Sequence, residues 1–278
     1  MMSTIRFLGR DIRLGIIRRA YLMIIAVIFS FVMVQQCATV IEDLQEMNFI
    51  WSNGTIMDYY IFSAMGMRYY RFDSKSYFQI PLMWFVFQIG ISYFIAYYSK
   101  QDYLDGAVNV LVAGKSRSVW WRSKYIWCVL SVLAYYMVTF LSCSVFSAAQ
   151  GAGISLNISR DFMEAYFGYG TAYISDWDFI VMVFIVPIMT TLGICSIQHL
   201  MSLVFSPVTS FAVTSIFYIL SAYYTVWFLP GSFTMWFRST YYDAQGVNPL
   251  SGIILSLFIL FAVYVLGHMY ITQKDIID

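Results

Sequence analysis

The stretch SKQDYLDGAVNVLVAGKSRSVWWRSK, residues 99–124, decides the fold by what it interrupts. It opens with Lys100, Asp102 and Asp105, passes through an apolar segment at 107–113, and closes with Lys115, Arg117, Arg122 and Lys124. On either side the charges stop. Residues 20–41, 76–99, 125–159, 179–237 and 244–273 contain no Asp, Glu, Lys or Arg. Each run reaches the ~20 residues that a helix needs to cross a bilayer, and 179–237 has room for two helices.

Composition agrees. Of 278 residues, 60% are hydrophobic, 20% aromatic and 11% charged, and no soluble domain of that length hides so much apolar surface in one core. The sequence therefore predicts an all-α polytopic membrane protein forming one transmembrane domain, 1–278, with spans at about 20–41, 78–98, 125–149, 179–200, 208–228 and 250–271. A net charge of +1 gives no field for nucleic acid. Cys37, Cys128, Cys143 and Cys195 all lie in apolar runs without CxxC spacing, which predicts small buried hydrophobes rather than zinc ligands or disulfides. The basic, then apolar, N-terminus is not expected to be a cleaved signal, because its apolar run is too long and no small-x-small site follows it.

Residues 4–19 form an amphipathic pattern, with Ile5, Leu8, Ile12 and Ile16 on one side of a helical wheel and Arg6, Arg10 and Arg13 on the other. With Arg18 and Arg19 this predicts an interfacial helix on anionic headgroups of the lipid bilayer ahead of span 1. Residues 42–75 and 157–178 are acidic and aromatic connectors, and 232–249, after the Pro230-Gly231 break, is expected to re-enter the membrane in part. Six spans put both termini on one side. That side carries eleven Lys and Arg against five opposite, which predicts cytoplasmic termini and a cytoplasmic 99–124 segment.

Gly114-Lys115-Ser116 has the ending of a phosphate-binding loop, but the first glycine of GxxxxGK[ST] falls on Asn109, and membrane spans flank the segment. The chain is expected to carry no ATPase and no enzymatic site. His199 and His268 are the only ionisable candidates inside the spans, and a lone histidine near a helix end is commonly a packed residue. Tyr and Trp near the span ends are read as interfacial anchors. Asn53 and Asn157 open sequons on the expected outer side.

The interfacial helix, the six spans with both ends inside and the charged segment between spans 2 and 3 together resemble the membrane subunit of type 2 ATP-binding cassette (ABC) exporters. Locally the resemblance rests on Asp102, Asp105-Gly106, the apolar 108–112, Ser116-Arg117 and Lys124, then Asn248-Pro249-Leu250 and Lys274-Asp275-Ile276. The chain departs from the family in having Asp where Glu usually precedes the glycine, and Gly114-Lys115 where a Pro often precedes Ser-Arg. The resemblance implies a coupling helix at about 101–113, seated in a cleft of a separate ATP-binding cassette subunit through Asp102, Asp105, Gly106, Val108, Asn109, Leu111 and Val112. Acids in a first turn suit the helix dipole, and a Val108, Leu111 and Val112 ridge suits burial in a partner. By the same resemblance, no cofactor binds this chain, ATP and Mg sit on the partner, and a second copy or a homologous permease completes the path. The location is then a bacterial plasma membrane, with outward export of an amphipathic substrate such as a bacteriocin-like peptide. Two other readings stay open: a peptide-binding sensor or immunity subunit, and a stand-alone channel or ion-coupled carrier.

Overall fold

The computed structural model describes residues 2–70, 77–103 and 117–273. Helix α1 (Met2–Asp11) continues through a π-helical turn (Ile12–Ile16) and a 3-10 segment (Ile17–Met23) into α2 (Ile24–Glu46). The result is one helical stretch, Thr4–Glu46, of 43 residues. Then follow α3 (Ile56–Ser63), α4 (Leu82–Asp102), α5 (Arg117–Ala149), α6 (Asp176–Val204, with a π-turn at Val181–Ile185), α7 (Pro207–Tyr223) and α8 (Pro249–Gln273). Every apolar run thus becomes a helix. Among the described residues, five helices are long and apolar enough to cross a membrane, and α7, at 17 residues, is shorter. At 1.5 Å per residue α7 spans about 26 Å, short of the ~30 Å hydrocarbon core.

Helix α6 is the centre of the bundle, touching α4, α5, α7 and α8, while α2 lies against α5 and α4. Close approach depends on glycine at two places. A Cβ on Gly15 would overlap Trp127 and Tyr98, and one on Gly267 would overlap the Trp121 ring. The four cysteines are buried free thiols. Tyr60 stacks on Phe184 with ring centroids 4.5 Å apart, and Phe87 packs on Phe29, Tyr135 and Tyr136. These rings form the interior of α2, α3, α4, α5 and α6.

Two connectors carry packed structure of their own. Within 42–75, the first acidic and aromatic connector, α3 is buried at all eight positions. Its start is a capping box: Thr55 Oγ1 accepts from the Asp58 N–H, and Asp58 Oδ2 accepts from the Thr55 N–H at 2.8 Å. Asp58 Oδ1 accepts from the Ser159 N–H at 2.9 Å, so one carboxylate joins two connectors. Residues 230–238 are two buried 3-10 turns packed against α6, α7 and α8. Arg238 is fully buried there.

Burial raises the Asp58 pKa above its ordinary 3.8, against the lowering effect of its hydrogen bonds to Ser159 and Thr55. The folded state then binds more proton than the unfolded state above pH 3.8, so this contribution to stability falls as pH rises through the folded pKa. Asp58→Asn should remove the slope. In thermal unfolding across the acid range, the stability of wild type relative to Asp58→Asn is expected to decline with rising pH; a constant difference would contradict it.

Candidate functional site

Both flanks of residues 104–116 end in one ionic cluster, built by the end of α1, the end of α4 and the start of α5. The first turns of α5 bring Trp120, Ser123 and Lys124 to one face, the i, i+3, i+4 set of a helix. Lys124 is fully buried, with Nζ 2.5 Å from Asp11 Oδ1 and 2.7 Å from Asp102 Oδ2. Asp11, 1% exposed in its side chain, also accepts from Tyr98 Oη at 2.8 Å and Ser123 Oγ at 2.5 Å. Asp102 takes a two-pronged hydrogen bond from Arg10 Nη2, at 2.7 and 2.8 Å, and one from Trp120 Nε1 at 3.2 Å. Two carboxylates and two cations make the cluster neutral, the condition under which charge tolerates burial. The Tyr98 ring lies 4.4 Å from Lys124 Nζ and closes one side of the cluster.

The surroundings fasten the same end of the bundle. Lys100 Nζ donates to the carbonyls of Leu203 and Phe205 at the end of α6. Ser99 Oγ meets His199 Nδ1 at 3.0 Å, and the His199 ring stacks on Trp121. His199 is thus a packed residue. Arg117 Nη1 donates to Thr272 O at 3.2 Å, tying the first residue of α5 to the last turn of α8.

The residues singled out in the sequence distribute as follows. Asp105, Gly106, Val108, Asn109, Leu111 and Val112 lie outside the described residues. Asp102 is placed in the last turn of α4 rather than the first turn of a separate helix, and its carboxylate turns inward. Among the arginines, Arg6, Arg13 and Arg18 are exposed, Arg10 joins the cluster, and Arg19 donates to Gln101 Oε1 while lying over Tyr98. The face of α1 and its π-turn that enters the protein is Phe7, Asp11 and Gly15, whereas Ile5 is 65% exposed. Beside the Ile5, Leu8, Ile12 and Ile16 face, which is exposed or half-buried, α1 docks on α5 by a separate stripe of its own at i, i+4, i+8. Lys124, one of the charges that close residues 99–124, is an interior residue.

Sequence reasoning missed Asp11. The signal was available: Asp11 is the one acid among the first 41 residues, set between five arginines and four positions from both Phe7 and Gly15. Among the described residues, no group of three His, Cys, Asp or Glu side chains forms a metal-ligand set.

Mechanically, the cluster makes α1, α4 and α5 one body at this end, and Arg117 extends the tie to α8. These features define a multi-pass, largely helical membrane protein of the plasma-membrane kind, compatible with a transporter-like role. No protein-family model, curated protein or solved structure matches the chain.

Proposed function

We propose that the chain is the six-span permease subunit of an ABC exporter, with residues 99–124 facing the cytoplasm and receiving force from a separate ATP-hydrolysing subunit. The observation that carries this reading is the ionic cluster. A connector that merely links two helices does not need both its flanks locked by a buried, fully paired set of charges; a connector that transmits displacement does. The Lys and Arg bias supports a cytoplasmic position for that end. The resemblance of Asp105-Gly106, Ser116-Arg117 and Asn248-Pro249-Leu250 to type 2 exporter permeases supports the partner class. In this reading α7, together with the buried 230–238 turns, completes the sixth crossing, since irregular backbone at membrane depth is tolerated when protein covers it. The substrate is amphipathic and moves outward through a path shared with a second permease copy or a homologue, in a bacterial plasma membrane. ATP and Mg stay on the partner, and this chain performs no hydrolysis.

Mass spectrometry of the gently solubilised native complex tests the assignment. We expect an ATP-binding subunit to be retained in fixed stoichiometry. A chain recovered alone, with gradient-driven flux in vesicles that is indifferent to vanadate, would instead establish a stand-alone carrier.

A further inference from the structure

At the opposite end of the bundle from the ionic cluster, three connectors enclose a cleft of about 390 Å³. Its lining comes from Arg68, from Phe167, Tyr169 and their neighbours, and from Tyr242 and Asp243. Its size lies in the range of small-ligand sites, ~300–1,000 Å³.

The floor is aromatic. Phe237 and Tyr242 stack with centroids 4.7 Å apart, and the Arg68 guanidinium lies 5.4 Å and 5.6 Å from those two rings. Arg68 is exposed, and no carboxylate among the described residues pairs with it. A guanidinium whose face rests on rings keeps its N–H edge free for a planar or tetrahedral anion. Beside it stands a negative group. Asp243 lines the same cleft as Arg68 and Tyr242; burial raises the Tyr242 pKa, Arg68 pulls it down and Asp243 pushes it up. Asp243 Oδ1 accepts only a turn hydrogen bond, from the Gln245 N–H at 2.9 Å, which leaves acceptor capacity for a further donor. The facing wall is bare backbone: at both Gly168 and Gly170 an added Cβ would meet only open space.

The depth of the cleft is set by its elements. Its walls adjoin the first residues of α6 and α8, and its surroundings expose Tyr169, Tyr173 and Trp177 at 77%, 88% and 65%. Exposed Tyr and Trp at helix ends mark the headgroup layer. A cation and an anion lining one cleft at that depth match a zwitterion.

We propose that this cleft binds the headgroup of an ethanolamine phospholipid, its phosphate on Arg68 and its primary ammonium on Asp243. A choline headgroup has the same charges but no N–H for the carboxylate. A glycerol headgroup has the phosphate but no cation.

Native mass spectrometry of the purified chain, exchanged into equimolar dioleoyl phosphatidylethanolamine, phosphatidylcholine and phosphatidylglycerol, reads out the preference. Phosphatidylethanolamine should be retained about tenfold over the other two. Arg68→Ala should lower that retention about tenfold, with Arg68→Lys recovering part of it, and Asp243→Asn should bring ethanolamine and choline lipids level. Both side chains sit on exposed connectors, so an unchanged gel-filtration profile and melting temperature serve as the folding control. Equal retention of all three lipids, a preference for phosphatidylglycerol, or an ethanolamine preference that survives both Arg68→Ala and Asp243→Asn would overturn the proposal.

Discussion

Replacing Lys124 by Met is expected to cost about 3–5 kcal/mol of stability, because it leaves the buried Asp11 carboxylate with only Arg10, 4.0 Å away, as counter-charge. The geometry makes this asymmetric. Tyr98 and Ser123 still donate to Asp11, but neither supplies charge, and Asp102 keeps Arg10 and the Trp120 N–H. Adding Asp11→Leu to Lys124→Met removes the stranded charge, and apolar replacement of a buried ion pair is often neutral. The double variant should therefore be more stable than Lys124→Met alone. Chemical or thermal unfolding in detergent measures all three. Simple additivity of the two single losses would show that the charges do not interact, and the cluster would lose its place in the argument.

The second large effect concerns Arg238. Its guanidinium donates to the carbonyls of Ser221 and Ala222, both at 2.5 Å, in the last turn of α7, and from Nε to Met67 O at 3.3 Å. Among the described residues no carboxylate balances it. The negative end of the α7 dipole does so instead. Arg238→Met is expected to cost about 3 kcal/mol, since charge-assisted hydrogen bonds contribute roughly 1.5–3 kcal/mol each and the orphaned carbonyls have no water to turn to. Arg238→Lys should recover part of the loss, because an ammonium reaches one carbonyl without the two-pronged fork. Protease protection of the 224–248 connector reports the local consequence. If Arg238→Met melts with the wild type, the buried turns are held by their aromatic contacts alone.

The sequence made the helices legible and the ionic chemistry much less so. Long apolar runs become helices because lipid offers the backbone no other partner, and that inference required only counting charges. The boundaries moved outward: α4 runs on to Asp102 and α5 begins at Arg117, carrying charged turns beyond the apolar windows. Hydropathy weights Lys124 as a surface residue, and only its pairing with Asp11, 113 positions away in sequence, makes it an interior one. Asp58 hid α3 in the same way, since an acid inside YYIF-rich sequence reads as a loop. Its Thr55-x-x-Asp58 spacing was nevertheless a capping signal that could have been followed. Short-range patterns were thus readable and long-range charge pairs were not. Of the residues expected to contact a partner, only Asp102 falls among the described residues.

This division bears on function. Asp102, expected to contact a partner, pairs with Arg10 and Lys124 and so fixes the end of α4 to α1 and α5; in the proposed exporter that tie transmits displacement. The pair Arg10 and Asp102 is the part of the cluster nearest solvent, with side chains 32% and 10% exposed. It can be loosened without stranding Asp11, whose partners Lys124, Tyr98 and Ser123 remain.

The most direct test uses the native complex in proteoliposomes and compares wild type with Arg10→Gln, following ATP hydrolysis and substrate release into the acceptor space in the same sample. The account predicts that hydrolysis continues in Arg10→Gln while transport per ATP falls several-fold, because the Arg10–Asp102 tie between α1 and α4 is lost and only the Lys124 bridge still joins them to α5. Transport per ATP equal to wild type, or flux that proceeds without ATP, would contradict it.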